Sequence, residues 1–197
     1  MKTDIVLAGV GGQGILSIAT ILGCAALKEG LYLKQAEVHG MSQRGGDVQS
    51  NLRISDKPIH SDLIPIGKAD IIVSLEPMES LRYLPYLTPK GWIITNTVPF
   101  VNIEAYPEQE SILKELEETG NVIAFDMETI AKEVASPRAS NMVLLGAASL
   151  FVNGLTAQEI EDGIREIFGR KGEAMVENNL KAFRAGRAKA LEMTKEK

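Results

Sequence analysis

The chain has 197 residues, of which 45% are hydrophobic and 24% charged, and its net charge is −5. This length fits one α/β domain with a helical extension, and the composition is that of a globular protein with a substantial core. The acidic balance and an aromatic content of only 5% argue against nucleic-acid binding. No signal peptide or membrane-spanning segment is visible, so we expect a cytoplasmic protein with no membrane partner.

Cysteine usage limits the chemistry that this chain can carry. The single cysteine, Cys24, rules out internal disulfides and a cysteine-held iron–sulfur cluster. It lies in an apolar helical pattern, which predicts a buried, inert thiol. The sequence has no H-x-x-H or C-x-x-C spacing, so we expect no metal site, and we assign His60 to the surface.

The first part of the chain predicts strands joined by a glycine-rich turn and a helix. Residues 4–8 predict a buried strand, and residues 31–38 predict a second one, which together indicate the opening of a βαβ unit. Residues 48–54 alternate polar and apolar side chains, as in a half-exposed strand. A turn at 55–58 then leads to a short return strand from Ile59, which we interpret as a β-hairpin excursion.

The remainder predicts the rest of a wound fold. Buried strands are expected at 69–75, 91–97 and 121–125. Helices are expected from Pro77 to about Leu87, from about Ser111 to Glu118, at 127–134 and at 139–151. Two further helices are expected, one that begins with a capping box at 156–159 and one from Glu173 onward. The predicted fold class is α/β, a three-layer, Rossmann-like, mostly parallel sheet with a β-hairpin excursion and C-terminal helices. We predict a single domain over residues 1–197, in which 155–197 is a helical C-terminal extension.

The glycine-rich turn follows the first predicted strand. Gly9, Gly11 and Gly14 match G-x-G-x-x-G between a strand and a helix, which is the context that the motif requires. Such a turn lets the backbone approach a phosphate, and the helix N-terminus attracts an anion. Gly9, Gly11, Gly12, Gln13 and Gly14 are therefore candidates for binding a phosphate or coenzyme A, with Gln13 able to contact a ligand or partner amide. The alternative is a tight turn that binds nothing.

A second polar segment, residues 39–46, follows the second predicted strand, at the sheet edge where ligands bind in such folds. Arg44 is a permanent cation suited to carboxylate or phosphate, and Gly45 and Gly46 can present N–H groups to an anion. His39 can exchange a proton near neutral pH, and a structural histidine is the simpler interpretation. The candidates for substrate or subunit contact are His39, Met41, Ser42, Gln43, Arg44, Gly45 and Gly46.

Two acidic residues support other hypotheses. Glu37 lies 23 residues past Gly14, where a nicotinamide enzyme binds its ribose hydroxyls, so a stand-alone NAD(P)-dependent dehydrogenase is the second hypothesis. Glu76 follows the strand at 69–75 on the expected ligand edge, as a general base would. A carboxylate that opens the next helix is the simpler explanation of Glu76. A nucleotide-binding or assembly module without activity is the third hypothesis.

Three segments together resemble a known family. Residues 9–14 (G-V-G-G-Q-G), 39–46 (H-G-M-S-Q-R-G-G) and 50–55 (S-N-L-R-I-S) are similar to the small, γ-type subunits of the 2-oxoacid:ferredoxin oxidoreductases. Within that family the pattern resembles the β subunits of the indolepyruvate type, and residues 141–147 share the resemblance. The similarity covers nearly the whole chain, and the segment 39–46 is its most specific part.

The resemblance implies a function shared with a second chain. Such enzymes oxidatively decarboxylate a 2-oxoacid, here an aryl pyruvate such as indolepyruvate, to an acyl-CoA with ferredoxin as electron acceptor. Thiamine diphosphate, Mg and [4Fe-4S] clusters are expected in the large partner subunit, and coenzyme A is the cosubstrate. The present chain is expected to be inactive alone, to complete the active-site cleft and to bind the large subunit, with Met41 adding apolar surface near the substrate or partner. The chain itself lacks the Gly-Asp-Gly motif of thiamine enzymes.

Overall fold

The computed structural model describes residues 1–39 and 45–195, without the side chain of His39. The strands in this part of the chain are β1 (Lys2–Val10), β2 (Tyr32–His39), β3 (Asp47–Ser55), β4 (Ala69–Ser74), β5 (Leu87–Asn96) and β6 (Val122–Phe125). The helices are α1 (Ile15–Lys28), α2 (Pro77–Arg82), α3 (Gln109–Glu118), α4 (Met127–Val134), α5 (Ser140–Ala148), α6 (Ala157–Phe168) and α7 (Glu173–Lys195). Among these described helices, none combines the length and apolar character needed to cross a membrane.

The strands form one mixed sheet in the order β2-β3-β1-β4-β5-β6. Neighbours from β1 to β6 pair in parallel, whereas β3 pairs antiparallel with both β1 and β2. All strands except β3 therefore run in one direction, which confirms the mostly parallel α/β sheet. The expected βαβ opening is interrupted, because β3 is inserted between β1 and β2.

The antiparallel excursion is confirmed, but its partner strand differs from the prediction. β3 pairs with β2, the strand that precedes it, through the register from Tyr32 opposite Ser55 to His39 opposite Val48. The return strand expected from Ile59 is wrong, because the described residues 56–68 contain no strand. Pairing between β2 and β3 already gives the hairpin its second arm, so no further strand is needed.

The strand β3 is more buried than its alternating pattern predicts. Leu52 and Ile54 are fully buried on one face, and Asn51 on the opposite face is only 4% exposed. That face is covered because Arg53 Nη1 donates to the carbonyl of Ser61 at 3.0 Å, which holds the following segment against the strand. The prediction of a half-exposed strand is therefore wrong for this inserted position.

A buried ion pair connects β1 to β3. Asp4 is fully buried and accepts hydrogen bonds from Arg53 Nε at 2.8 Å and Nη2 at 3.1 Å. Lys2 Nζ adds a third contact to the same carboxylate at 2.6 Å. Such two-pronged pairing fixes geometry as well as charge. Arg53, although part of the S-N-L-R-I-S segment, therefore acts in the fold.

Helices cover both faces of the sheet, which confirms the three-layer expectation. Successive side chains of β1 point to opposite faces, so Ile5 and Leu7 join one apolar core and Val6 and Ala8 join the other. The larger core lies against α1 and α4 to α7, and the smaller one against α2 and α3. Burial of each large aliphatic side chain contributes about 1.5–3 kcal/mol, so both layers stabilise the sheet that positions the site.

The helices α5 and α7 cross at a contact between backbones. A Cβ on Gly146 would lie 1.9 Å from the carbonyl oxygen of Phe183, and one on Gly186 would lie 1.9 Å from that of Val143. Neither separation is sterically allowed, so this crossing requires glycine at both positions. The small residues of 139–151 predict close contact with a helix or subunit, and α7 is the helix that they contact.

Some local features differ from the sequence prediction. The helix α2 ends at Arg82 rather than near Leu87, because Pro85 lacks the N–H that would continue the α-helical hydrogen bonds, and a 3-10 turn at Leu84–Tyr86 follows instead. Cys24 is partly exposed, so the prediction of a buried thiol is wrong. It follows exposed Thr20 by one helical turn and therefore lies towards the outer side of α1. The capping box of Thr156 and Glu159 is confirmed.

Candidate functional site

The glycine-rich turn lies at the carboxyl end of β1, beside the carboxyl end of β4. Gly9 still belongs to β1 and pairs with Val48, so it does not form the turn as the motif predicts. A Cβ on Gly9 would lie 2.8 Å from Cγ1 of Ile15, the first residue of α1. Gly9 thus allows α1 to pack closely on its strand, the task that the motif assigns to its third glycine.

The turn proper needs glycine for backbone conformation. Gly12 has φ +104° and Gly14 has φ +79°, values that L side chains rarely adopt. Gly14 is the N-cap of α1 and supplies no side-chain cap. Within the described residues, the N–H groups of Gly12, Gly14 and Ile15 have no hydrogen-bond partner. The turn therefore presents free donors at the positive end of a helix dipole, the arrangement that binds anions.

Gln13 binds the chain itself. Its Oε1 accepts from the backbone N–H of Val10 at 2.8 Å, and its Nε2 donates to the carbonyl of Leu75 at 3.4 Å. The side chain thereby connects the turn after β1 to the residue after β4. These bonds fix the shape of the turn, and the expected contact of Gln13 with a ligand or partner amide stays a prediction.

The structure brings together the two glycine segments that the sequence singled out. The N–H of Gly11 donates to the carbonyl of Gly46 at 2.8 Å, and the N–H of Gly45 donates to the carbonyl of Gly11 at 3.3 Å. Gly45 has φ +78°, so it also requires glycine. The other candidates of this segment, Met41, Ser42, Gln43 and Arg44 together with the side chain of His39, lie outside the described residues.

Two asparagines complete the site, and sequence reasoning did not select either as a site residue. Asn141 Nδ2, at the start of α5, donates to the carbonyl of Gly14 at 3.2 Å. Asn102 Nδ2, after β5, donates to the carbonyl of Gly45 at 2.8 Å. The position of Asn102 past the carboxyl end of a central strand was an available signal. Their partners are 127 and 57 residues away, which no local pattern reveals.

Glu76 is a buried helix cap. It is fully buried, and its Oε2 accepts from the N–H of Glu79 at 2.7 Å at the start of α2. Its Oε1 accepts from the hydroxyl of Tyr106 and, at 3.5 Å, from the N–H of Phe100. Burial, and next the hydrogen bond to Glu76, raise the pKa of the Tyr106 hydroxyl. The helix-opening explanation of Glu76 describes this geometry, since its carboxylate faces protein donors.

Glu37 is poorly placed for a dinucleotide. It is exposed on β2, and β3 separates that strand from β1. In register it lies opposite Ser50, which in turn lies opposite Leu7, so about 10 Å of sheet separates it from β1. In a dinucleotide-binding fold the acid ends the strand next to the glycine turn. The sheet order thus argues against the NAD(P) hypothesis.

The residues of this chain do not fit an iron–sulfur cluster. Cys24 is the only cysteine, and four thiolates are the usual ligand set. The described part of the chain contains no group of three or more His, Cys, Asp or Glu side chains that could hold a metal ion. His60 is exposed, as expected. No redox step is therefore assigned to groups held by this chain.

Comparison with known proteins defines the class to which this fold and site belong. Residues 4–189 match the family described as pyruvate ferredoxin/flavodoxin oxidoreductase. Because the match covers nearly the whole chain, the chain belongs to this family. The resemblance to γ-type subunits, which rests on the segments 9–14, 39–46 and 50–55, is thereby confirmed.

Individual relatives narrow the class. Indolepyruvate oxidoreductase subunit IorB of Pyrococcus horikoshii is 41% identical to this chain over 96% of either chain. The protein of the same name from Methanothermobacter thermautotrophicus is 36% identical over 98% of this chain and 100% of its own. Both likenesses extend over essentially full length, so they include the glycine turn, the inserted strand and the C-terminal helices.

Solved structures give the same fold. The γ subunit of a keto/oxoacid ferredoxin oxidoreductase from Geobacter sulfurreducens matches with a TM-score of 0.70 and 26% identity, over 96% of this chain and 99% of that one. The 2-oxoglutarate:ferredoxin oxidoreductase from Magnetococcus marinus, with 2-oxoglutarate, coenzyme A and succinyl-CoA bound, has a TM-score of 0.75 at 24% identity. The match includes 97% of this chain but only 31% of that longer chain, and at this identity it shows a shared fold alone. These matched structures are 2-oxoacid:ferredoxin oxidoreductases, not NAD(P) dehydrogenases.

Proposed function

We propose that this chain is the small subunit of an indolepyruvate-type 2-oxoacid:ferredoxin oxidoreductase. The observation that carries the proposal is the near full-length likeness to subunits of that name, at 41% identity. In the assembled enzyme an aryl pyruvate is oxidatively decarboxylated, its acyl group passes to coenzyme A, and the electrons pass to ferredoxin. The assembly is expected in the cytoplasm.

The proposed division of labour follows from what this chain can hold. With one cysteine and no Gly-Asp-Gly motif, it leaves thiamine diphosphate, Mg and the [4Fe-4S] clusters to the large subunit. Its own residues would complete the cleft in which those groups act. Backbone N–H donors and a cationic side chain are sufficient to bind and orient coenzyme A, the anionic cosubstrate.

Coenzyme A is the ligand that we propose for the glycine turn. The N–H groups of Gly12, Gly14 and Ile15 have no acceptor in the described part of the chain and lie at the positive end of α1, and phosphate is the group that such an end favours. Arg44 immediately precedes Gly45 in the chain and would add a permanent positive charge. His39, Met41, Ser42, Gln43, Gly45 and Gly46 remain our proposed contacts to substrate or large subunit.

Reconstitution tests the proposed function. The chain is expressed with and without the large subunit of the same organism, and indolepyruvate- and coenzyme A-dependent reduction of ferredoxin is measured. We expect reduction only when both subunits are present, because the chain supplies no redox group. The matched control is the large subunit mixed with the chain after heat denaturation. Ferredoxin reduction by this chain alone, or equal reduction by the large subunit alone, would overturn the proposal.

A further inference from the structure

One exposed side chain connects the segment 97–108, between β5 and α3, to the two paired glycine segments. Asn102 Nδ2 donates to the carbonyl of Gly45 at 2.8 Å. Gly45 and Gly46 exchange backbone hydrogen bonds with Gly11 in the turn. Asn102 follows β5 and the glycine turn follows β1, yet a single residue, Gly45, contacts both of them.

The buried carboxylate of Glu76 holds the same segment from the protein side. It accepts from the N–H of Phe100 and the hydroxyl of Tyr106, which stand on either side of Asn102 in the chain. No ion pair to Glu76 forms among the residues that the structure describes. A buried carboxylate is tolerated when several donors satisfy it, so these bonds constrain the segment locally, and the contact with Phe100 is a long one at 3.5 Å.

Apolar packing does not fix the part of the segment next to Asn102. Phe100, Val101 and Ile103 are 42%, 66% and 48% exposed. Little apolar surface is therefore removed from water here, and the polar bonds to Glu76 set the course of the backbone. The placement of Asn102 is thus determined by a buried group at the end of β4.

We propose that Asn102 is a positioning residue that holds Gly45 against the glycine turn, with Glu76 setting the position of Asn102. The expected effect of Asn102 on the reaction rests on the proposed function, whereas its expected effect on the position of Gly45 rests on geometry alone. An exposed amide bonded to a backbone carbonyl contributes modestly to folding, because water competes for both groups. Its consequence lies in the placement of Gly45 and Gly11 relative to each other.

Hydrogen–deuterium exchange on the full chain tests the geometric part. Asn102→Ala and Asn102→Asp both remove the donor, and we expect exchange of the Gly45 and Gly11 amides to accelerate about 3- to 10-fold, the loss of one neutral hydrogen bond. The matched control is Asn178→Ala, another exposed asparagine, on α7, for which we expect no change. Unaltered exchange in both Asn102 variants would overturn the proposal.

Steady-state kinetics of the assembled two-subunit enzyme test the functional part. Asn102→Ala is expected to raise the KM for coenzyme A about 3- to 10-fold with kcat unchanged, the pattern of lost uniform binding. Asn178→Ala should keep the wild-type KM. An unchanged KM in Asn102→Ala would refute the positioning role in the reaction. A wild-type assembly without oxidoreductase activity would refute the proposed function instead, and the exchange comparison would still decide the role of Asn102.

Discussion

The N-terminus of α1 differs from those of α2 and α4, although all three begin at the same edge of the sheet. The helices α2 and α4 are closed by carboxylates of the chain, with Glu76 accepting from Glu79 N–H at 2.7 Å and Asp126 accepting from Thr129 N–H at 2.9 Å. The N-cap of α1 is Gly14, which has no side chain to cap the helix. Capping satisfies the donors and the dipole internally, so of these three helices α1 is the one whose first donors have no partner among the described residues and can meet an external anion.

The open helix end is nevertheless held rigidly. Gln13 and Asn141 bind the turn through side-chain amides, and Gly11 is paired with Gly45 and Gly46. These contacts use backbone carbonyls and the N–H groups of Val10 and Gly11, and no described residue accepts from those of Gly12 and Gly14. A ligand would therefore meet donors that are already placed, which lowers the ordering cost of binding.

Removal of the cap on α2 is the largest change that the comparison predicts. Glu76→Ala leaves the N–H of Glu79 and the hydroxyl of Tyr106 without their acceptor, so we expect a loss of about 2–4 kcal/mol in the free energy of unfolding. Urea denaturation measures it. Glu76→Gln is the control, since it keeps the volume and one acceptor oxygen and should lose less. A loss below about 1 kcal/mol for Glu76→Ala would mean that the buried cap is not stabilising.

Removal of the cap on α4 is expected to have a smaller effect, with a pH signature. Burial alone would raise the pKa of Asp126, but hydrogen bonds from the backbone N–H and hydroxyl of Thr129 outweigh it and lower that pKa below 3.8. A lowered folded-state pKa stabilises the fold above the unfolded-state pKa, and this stability is lost as pH falls through the folded-state value. Asp126→Ala should cost about 1 kcal/mol at neutral pH in denaturant unfolding.

The charge on the α4 cap can be separated from its hydrogen bond. Asp126→Asn keeps an acceptor for Thr129 but does not titrate, so the stability difference between it and the wild type should vanish as pH falls through the lowered folded-state pKa of Asp126. Unfolding curves at neutral pH and at acid pH measure the difference. A constant difference across that range would show that Asp126 stabilises α4 without its charge.

The sequence predicted those features that local signals determine. Residues 127–134 were expected as a helix and α4 has those bounds, because Asp126 caps it and apolar spacing continues to Val134. The insertion of β3 was not predictable, because alternation defines a strand but not which strands it pairs with. Equally, the contact of Asn102 with Gly45 joins loops 57 residues apart, and only the sheet order brings them together.

The kinetic effect of a strained turn tests the central claim, that the open end of α1 serves the cosubstrate. Gly12→Ala and Gly30→Ala place a Cβ in open space at residues with φ +104° and +68°, at opposite ends of α1. Each should lose about 1–2 kcal/mol of stability from backbone strain. In the assembled enzyme we predict that Gly12→Ala raises the KM for coenzyme A about tenfold, the loss of roughly one charge-assisted hydrogen bond, and that Gly30→Ala leaves it unchanged. An equal KM for coenzyme A in both variants would contradict the claim.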